Sequence, residues 1–154
     1  MAAGMSDDPT PQGRDHVGLD LWFTSLAWET EMFARVQRAG FDDISLADSE
    51  VLSAIPLSGA RLVEVARRRR ITKQAAQERI AALIKRGYLT SASDPQDRRA
   101  RILSHTIRGR ALREALNTAK IALHRELEEK LGADRFVALR EGLAEAKALY
   151  TPGG

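Results

Sequence analysis

The stretch "ITKQAAQERIAALIKRGYLTSASDPQDRRARILSH", residues 71–105, decides the fold. Its first half is written as a helix. Thr72 is a good N-cap, because a hydroxyl there can accept from a first-turn amide. Ala76, Ile80 and Leu83 fall on one helical face. Ile71 before the cap and Ala76 at the N4 position are placed to form a hydrophobic staple, and Gly87 is a C-terminal stop. The second half changes period. "YLTSAS" and "RARILSH" alternate loosely in polarity, as half-buried strands do, and Asp-Pro-Gln-Asp between them reads as a tight turn. The segment therefore predicts a helix, then a β-hairpin from Tyr88 to about Thr106, with Arg98, Arg99 and Arg101 near its tip. A cationic tip on a two-stranded ribbon points to an anionic partner.

Upstream, Ser58 is expected to cap a helix over "GARLVEVARRR", with Leu62, Val65 and Ala66 facing inward. A short turn from Arg69 to Thr72 joins it to the next helix, and such a pair is a helix-turn-helix whose second member is the reader. Before it, "SLADSEVLSAI" starts a helix at Ser45, with Asp48 completing an acidic capping box, and Ile55-Pro56-Leu57 is a short extended link. Residues 17–38 form a first helix, ended by Gly40, with Leu19, Trp22, Leu26, Phe33 and Val36 at helical spacings and Trp28 and Met32 on an adjoining stripe. After the hairpin, Thr106 caps a long helix to Leu131 and Gly132 breaks it. A last helix over about 134–150 carries Phe136, Leu139, Leu143, Ala146 and Tyr150 on one side.

Three helices followed by a hairpin make a winged helix-turn-helix, so the fold class is mainly α (α+β). The first and the last two helices carry apolar stripes too broad for one small domain to cover. A second copy of the chain is the natural cover. The expected organisation is a disordered tail over 1–15 and a single domain over 16–150. The winged helix-turn-helix lies at about 45–106, with dimerisation helices at about 17–39 and 107–150.

The 154 residues carry a net charge of only +3, but the charge is divided. Residues 57–105 hold 12 Lys/Arg against 4 Asp/Glu, while the rest of the chain holds 12 against 17. A basic middle between acidic flanks is the footprint of a nucleic-acid surface. The absence of cysteine excludes disulfides and thiolate metal sites. No apolar run is long enough for a bilayer, and the N-terminus lacks the pattern of a signal peptide, so a cytoplasmic protein with no membrane partner is expected. His124 and Glu128 lie one helical turn apart, but no third ligand accompanies them. There is no phosphate loop and no nucleophile motif. No catalytic residue, metal or cofactor is assigned, and an enzyme is not expected.

Double-stranded DNA is the partner this surface fits. Lys73, Gln74 and Gln77 sit near the N-terminus of the reading helix, facing away from the core. Gln can pair in two-pronged fashion with adenine, and Lys can reach guanine or phosphate. Thr72 serves as cap and phosphate donor together. The run Arg67 to Arg70 has a phosphate as its natural partner, although helical geometry spreads its members around the axis. On the wing, Arg99 suits a narrow minor groove, with Asp97 expected to point its guanidinium through an ion pair, and Arg98 and Arg101 meet backbone phosphates. The competing reading is a winged-helix module that binds another protein and no DNA.

"ITKQAA…LIKRGYL", "DPQDRRARILSHT", "RGRAL" and the ending "LGADRFVALREGL" resemble the multiple-antibiotic-resistance-regulator (MarR) family of transcription factors over about residues 17–150. The resemblance implies a homodimeric winged-helix repressor on a pseudo-palindromic DNA site. It matches Thr72, Lys73, Gln74 and Gln77 to the reading helix, and Asp97 and Arg99 to the wing. It also implies release of DNA by a small lipophilic or phenolic effector, for which Trp22 and Leu26, together with Phe23, Trp28 and Met32, are the candidate pocket residues. The chain departs from the family's pattern at Arg70, where a turn glycine is usual, at Arg69, at Glu78, where Arg is common, and at His105, where leucine is frequent.

Overall fold

The computed structural model describes residues 16–97 and 99–150. Its elements run α1 (Val17–Arg38), α2 (Leu46–Ser53), β1 (Ala60–Arg61), α3 (Leu62–Arg69), α4 (Lys73–Lys85), β2 (Leu89–Ser93), β3 (Arg101–His105), α5 (Ile107–Leu131) and α6 (Ala133–Tyr150). The expected tail over 1–15 lies outside the described residues.

The helix starts follow their caps. Ser45 Oγ accepts from the Asp48 amide at 3.2 Å, and Asp48 returns the favour by accepting from the Ser45 N–H. Thr72 and Thr106 cap α4 and α5 through the amides of Ala75 and Gly109, at 3.1 and 3.0 Å. Gly87 takes the positive φ of 76° that ends α4 and turns the chain into β2.

A third strand departs from the expected order. Ser58 does not cap α3. Ala60 and Arg61 instead pair antiparallel with Leu103 and Ile102, giving the sheet order β1-β3-β2. The cause is Gly59. It has a φ of 92°, and a Cβ there would lie 2.7 Å from Ile102 Cγ2 and 3.0 Å from the Leu103 carbonyl. The link thus runs hard against β3, and α3 starts later, with Glu64 accepting from the Arg61 N–H at 2.7 Å.

One core joins these elements. Val36, Val51, Ile55, Val65, Leu83 and Leu112 are among its most deeply buried members, and Tyr88 is fully buried with them. The Tyr88 hydroxyl donates to Asp43, its ring carries the Arg108 guanidinium 4.4 Å from its centroid, and burial followed by the Asp43 contact pushes the phenol up to about 12. Arg86, at the end of α4, donates to the Asp43 carbonyl and pairs with Asp48 at 3.1 Å. These contacts tie the ends of α4 and β2 to α2 and α5, so α4 is held firmly against the core. His105 enters the core where leucine was the family's usual choice. Its Nε2 lies 2.9 Å from the Ile55 carbonyl, to which it must donate, while Nδ1 has no partner among the described residues.

The outer helices are only partly used. Of α1, Met32 and Val36 are buried, while Leu19, Trp22, Phe23 and Leu26 stand exposed. Of α6, Phe136 alone is buried, its ring edge-on to His124 at 4.7 Å. His124 is thus an aromatic neighbour in the helix pair, and Leu139, Leu143 and Tyr150 remain open.

Candidate nucleic-acid interface

Two elements of different origin bound a cleft of about 770 Å³. One wall is α4, fixed in the core by Ala76, Ile80 and Leu83. The other is the wing, the β2–β3 hairpin. Lys73 and Gln77 come from the helix, and Arg99 and Arg101 from the wing, with Arg61 and Ser91 between them. Residues more than twenty positions apart in the chain therefore face a single concavity.

Each side chain is set by local chemistry. Thr72, at φ −66° and ψ 152°, spends its hydroxyl oxygen on the Ala75 amide, leaving the N-terminal end of α4 facing outward beside Lys73. Gln74 does not line the cleft. It lies on the next face of α4, where its Nε2 donates to Glu78 Oε1 at 3.2 Å. Arg101 is pinned across the hairpin, Nε to Ser91 Oγ at 2.8 Å and Nη2 to the Ser91 carbonyl at 2.7 Å. That leaves Nη1 free to donate to an anion. Arg98 lies outside the described residues.

The expected Asp97–Arg99 ion pair is replaced by a backbone contact. Asp97 Oδ1 accepts from the Arg99 amide at 3.0 Å, closing a local turn. No ion pair joins the Arg99 guanidinium to this carboxylate among the described contacts. The acid that organises the wing is Asp94, 6% exposed at its side chain. It accepts from the Gln96 amide at 2.8 Å and from Arg61 Nε at 2.8 Å, with a second contact from Arg61 Nη2. The Gln96 amide, and then the Arg61 guanidinium, hold its carboxyl below the ordinary value of 3.8. Arg61 on β1 thereby anchors the base of the wing to the start of α3.

The arginine run divides in two. Arg69 pairs with Glu50 at 2.7 Å, and Arg68 donates to the Ala54 carbonyl at 2.8 Å, so both fold back on α2. Arg67 and Arg70 are exposed. Arg70 adopts the left-handed conformation, φ 53° and ψ 40°, that glycine would take without strain. A side chain there costs about 1 kcal/mol, and it adds a cation beside the start of α4.

Trp22 and Leu26 line none of the main cavities among the described residues. They are 62% and 51% exposed on α1. The apolar recess nearby, about 590 Å³, is walled by the adjoining α1 stripe, including Leu21 and Trp28, and by Leu127, Phe136 and Leu139 of the last two helices. Of the candidate pocket residues Trp28 lines this recess, while Trp22, Phe23, Leu26 and Met32 do not; the helical period placed the apolar residues on α1 but did not reveal which stripe faces α6.

Helices α3 and α4, the short turn between them and the β2–β3 wing together define a winged helix-turn-helix. Within that class the match is more particular. Residues 42–100 match the model of the MarR family, and over that segment the chain is similar to a MarR-family winged helix. No curated protein matches the sequence. Solved structures do share the fold. FabT of Streptococcus pneumoniae in complex with DNA superposes with a TM-score of 0.72 at 18% identity, covering 88% of this chain and 96% of that one. YusO of Bacillus subtilis gives 0.68 at 19%, over 86% and 93%. A mutant MarR from E. coli complexed with operator DNA gives 0.66 at 21%, over 84% and 92%.

Proposed function

We propose that the chain is a sequence-specific, double-stranded DNA-binding transcriptional regulator, acting as a homodimeric, ligand-responsive repressor in the cytoplasm. The observation that carries this reading is the cleft that gathers Lys73, Gln77, Arg99 and Arg101 between one helix and one wing. Its spacing suits α4 in a major groove and the wing over the adjacent minor groove, with phosphates between. Two of the structures that share the fold were solved with DNA. The winged helix-turn-helix of about 45–106 would carry the reading surface, and helices 17–39 and 107–150 the contact with the second copy. No helix among the described residues is long and apolar enough to cross a membrane, which is compatible with a cytoplasmic site of action.

Selection of bound sequences from random duplex, repeated over a salt series, tests the reading as a whole. It should return two half-sites about 10 bp apart, and affinity should fall steeply with salt. Arg99→Ala should weaken binding to the selected duplex by about tenfold or more. A variant that binds duplex as well as the parent would favour a protein-binding module instead.

A lipophilic or phenolic effector would fit the apolar recess beside Leu21 and Trp28 better than the exposed positions Trp22 and Leu26. Titrating a substituted phenol should quench tryptophan emission and release duplex over the same concentration range. Quenching with unchanged duplex affinity would refute ligand control from this recess.

A further inference from the structure

The Gln74–Glu78 contact adds only a small increment to the stability of α4 and ties it to no other element. Both side chains are exposed on the outer face of α4, one helical turn apart. The contact does constrain chemistry. A carboxylate only accepts, so the Gln74 amide must turn its nitrogen toward Glu78, whichever way an unconstrained amide would lie. One N–H is then occupied at 3.2 Å. The amide oxygen and the second N–H remain as an acceptor and donor side by side. That pair is complementary to the N6 amine and N7 of adenine. Glu78 keeps Oε2 free of any hydrogen bond within the chain's described contacts, and an exposed carboxylate oxygen in a major groove takes the exocyclic amine of cytosine. It also places a negative charge on the face that must approach phosphates, which weakens binding to every sequence equally.

From this, and resting on the DNA-binding reading above, we propose that Glu78 is a specificity-determining residue of the reading helix. It sets the Gln74 amide for adenine and itself selects cytosine at a neighbouring base pair, giving up general affinity for discrimination. The chemistry explains an acid where a cation would bind more tightly.

The test compares the parent chain, E78A, E78Q, Q74A and the Q74A/E78A double variant on randomised duplex at two salt concentrations. Circular dichroism should show all of them folded, since neither side chain is buried. E78A should lose about tenfold preference at one or two adjacent base pairs while its affinity for random duplex rises. E78Q removes the charge yet can donate as well as accept, so it should recover general affinity without restoring the preference. The adenine preference lost in Q74A should not fall further in the double variant. Unchanged base preferences in E78A would overturn the inference even if affinity rose. A parent chain that binds no duplex at low salt would instead remove the DNA reading itself, and this inference with it.

Discussion

Gly109→Ala is expected to destabilise the protein by about 2–3 kcal/mol, the range of overpacking in a tight core. By helix propensity alone the change should help, since alanine is favoured over glycine by about 1 kcal/mol within a helix. The site overrides propensity. A Cβ on Gly109 would lie 2.1 Å from the Tyr88 carbonyl oxygen and 3.1 Å from its carbon, both backbone atoms. That carbonyl already accepts from the Thr106 amide at 3.1 Å. It belongs to the residue whose ring fills the core and whose hydroxyl reaches Asp43. Moving it disturbs the start of β2, the cap of α5 and the anchoring of α4 together. Urea denaturation should show the midpoint lowered by about 1 M or more, given an ordinary dependence on denaturant for a chain of this size. Gly142 in α6 serves as the control, because a Cβ there meets nothing within 4 Å. Alanine at 142 should be neutral or mildly stabilising. If alanine at 109 behaves the same way, α5 does not approach β2 as closely as described.

The contrast between these two glycines marks what a sequence can and cannot disclose. Local grammar was legible. The caps at Ser45, Thr72 and Thr106, the stop at Gly87 and the turn between two half-buried strands all act within a few residues, and each stands where the residues placed it. What escaped depends on pairs far apart in the chain. Strand β1 exists because Gly59 lets the link approach Ile102, 43 positions later. Asp94 anchors the wing because Arg61 reaches it across the sheet, and "DPQD" offers two acids with no local sign of which one does so. The same limit applies to the arginine run. Four adjacent cations look alike in sequence, yet the position of α2 gives Arg68 and Arg69 partners at Ala54 and Glu50, while Arg67 and Arg70 are exposed. The candidate site was read as a set of residue types. Its shape, with Lys73 and Gln77 facing Arg99 and Arg101 of the wing, required the helix to be docked.

The double substitution Trp22→Glu with Leu26→Glu should give a folded monomer that has lost most of its affinity for a two-half-site duplex. Both positions are more than half exposed in the single chain, so the core of the protomer does not depend on them. They extend an apolar face with Leu19 and Phe23, whose ring lies 5.3 Å from that of Trp22. Exposed Leu139, Leu143, Leu149 and Tyr150 on α6 offer a second such face. Under the homodimer reading these faces are buried between copies, and a carboxylate placed there would have to be desolvated without a partner, at several kcal/mol. Sedimentation should show the parent chain as a dimer and the variant as a monomer, with unchanged circular dichroism. Joining two reading heads makes the second contact intramolecular, which is worth about 10²–10⁴ in affinity. The variant should therefore lose roughly a hundredfold or more on the full site and almost nothing on an isolated half-site, because Lys73, Gln77, Arg99 and Arg101 remain in their cleft. A parent chain that sediments as a monomer would refute the homodimer reading, and a variant that stays dimeric would place the contact on another face.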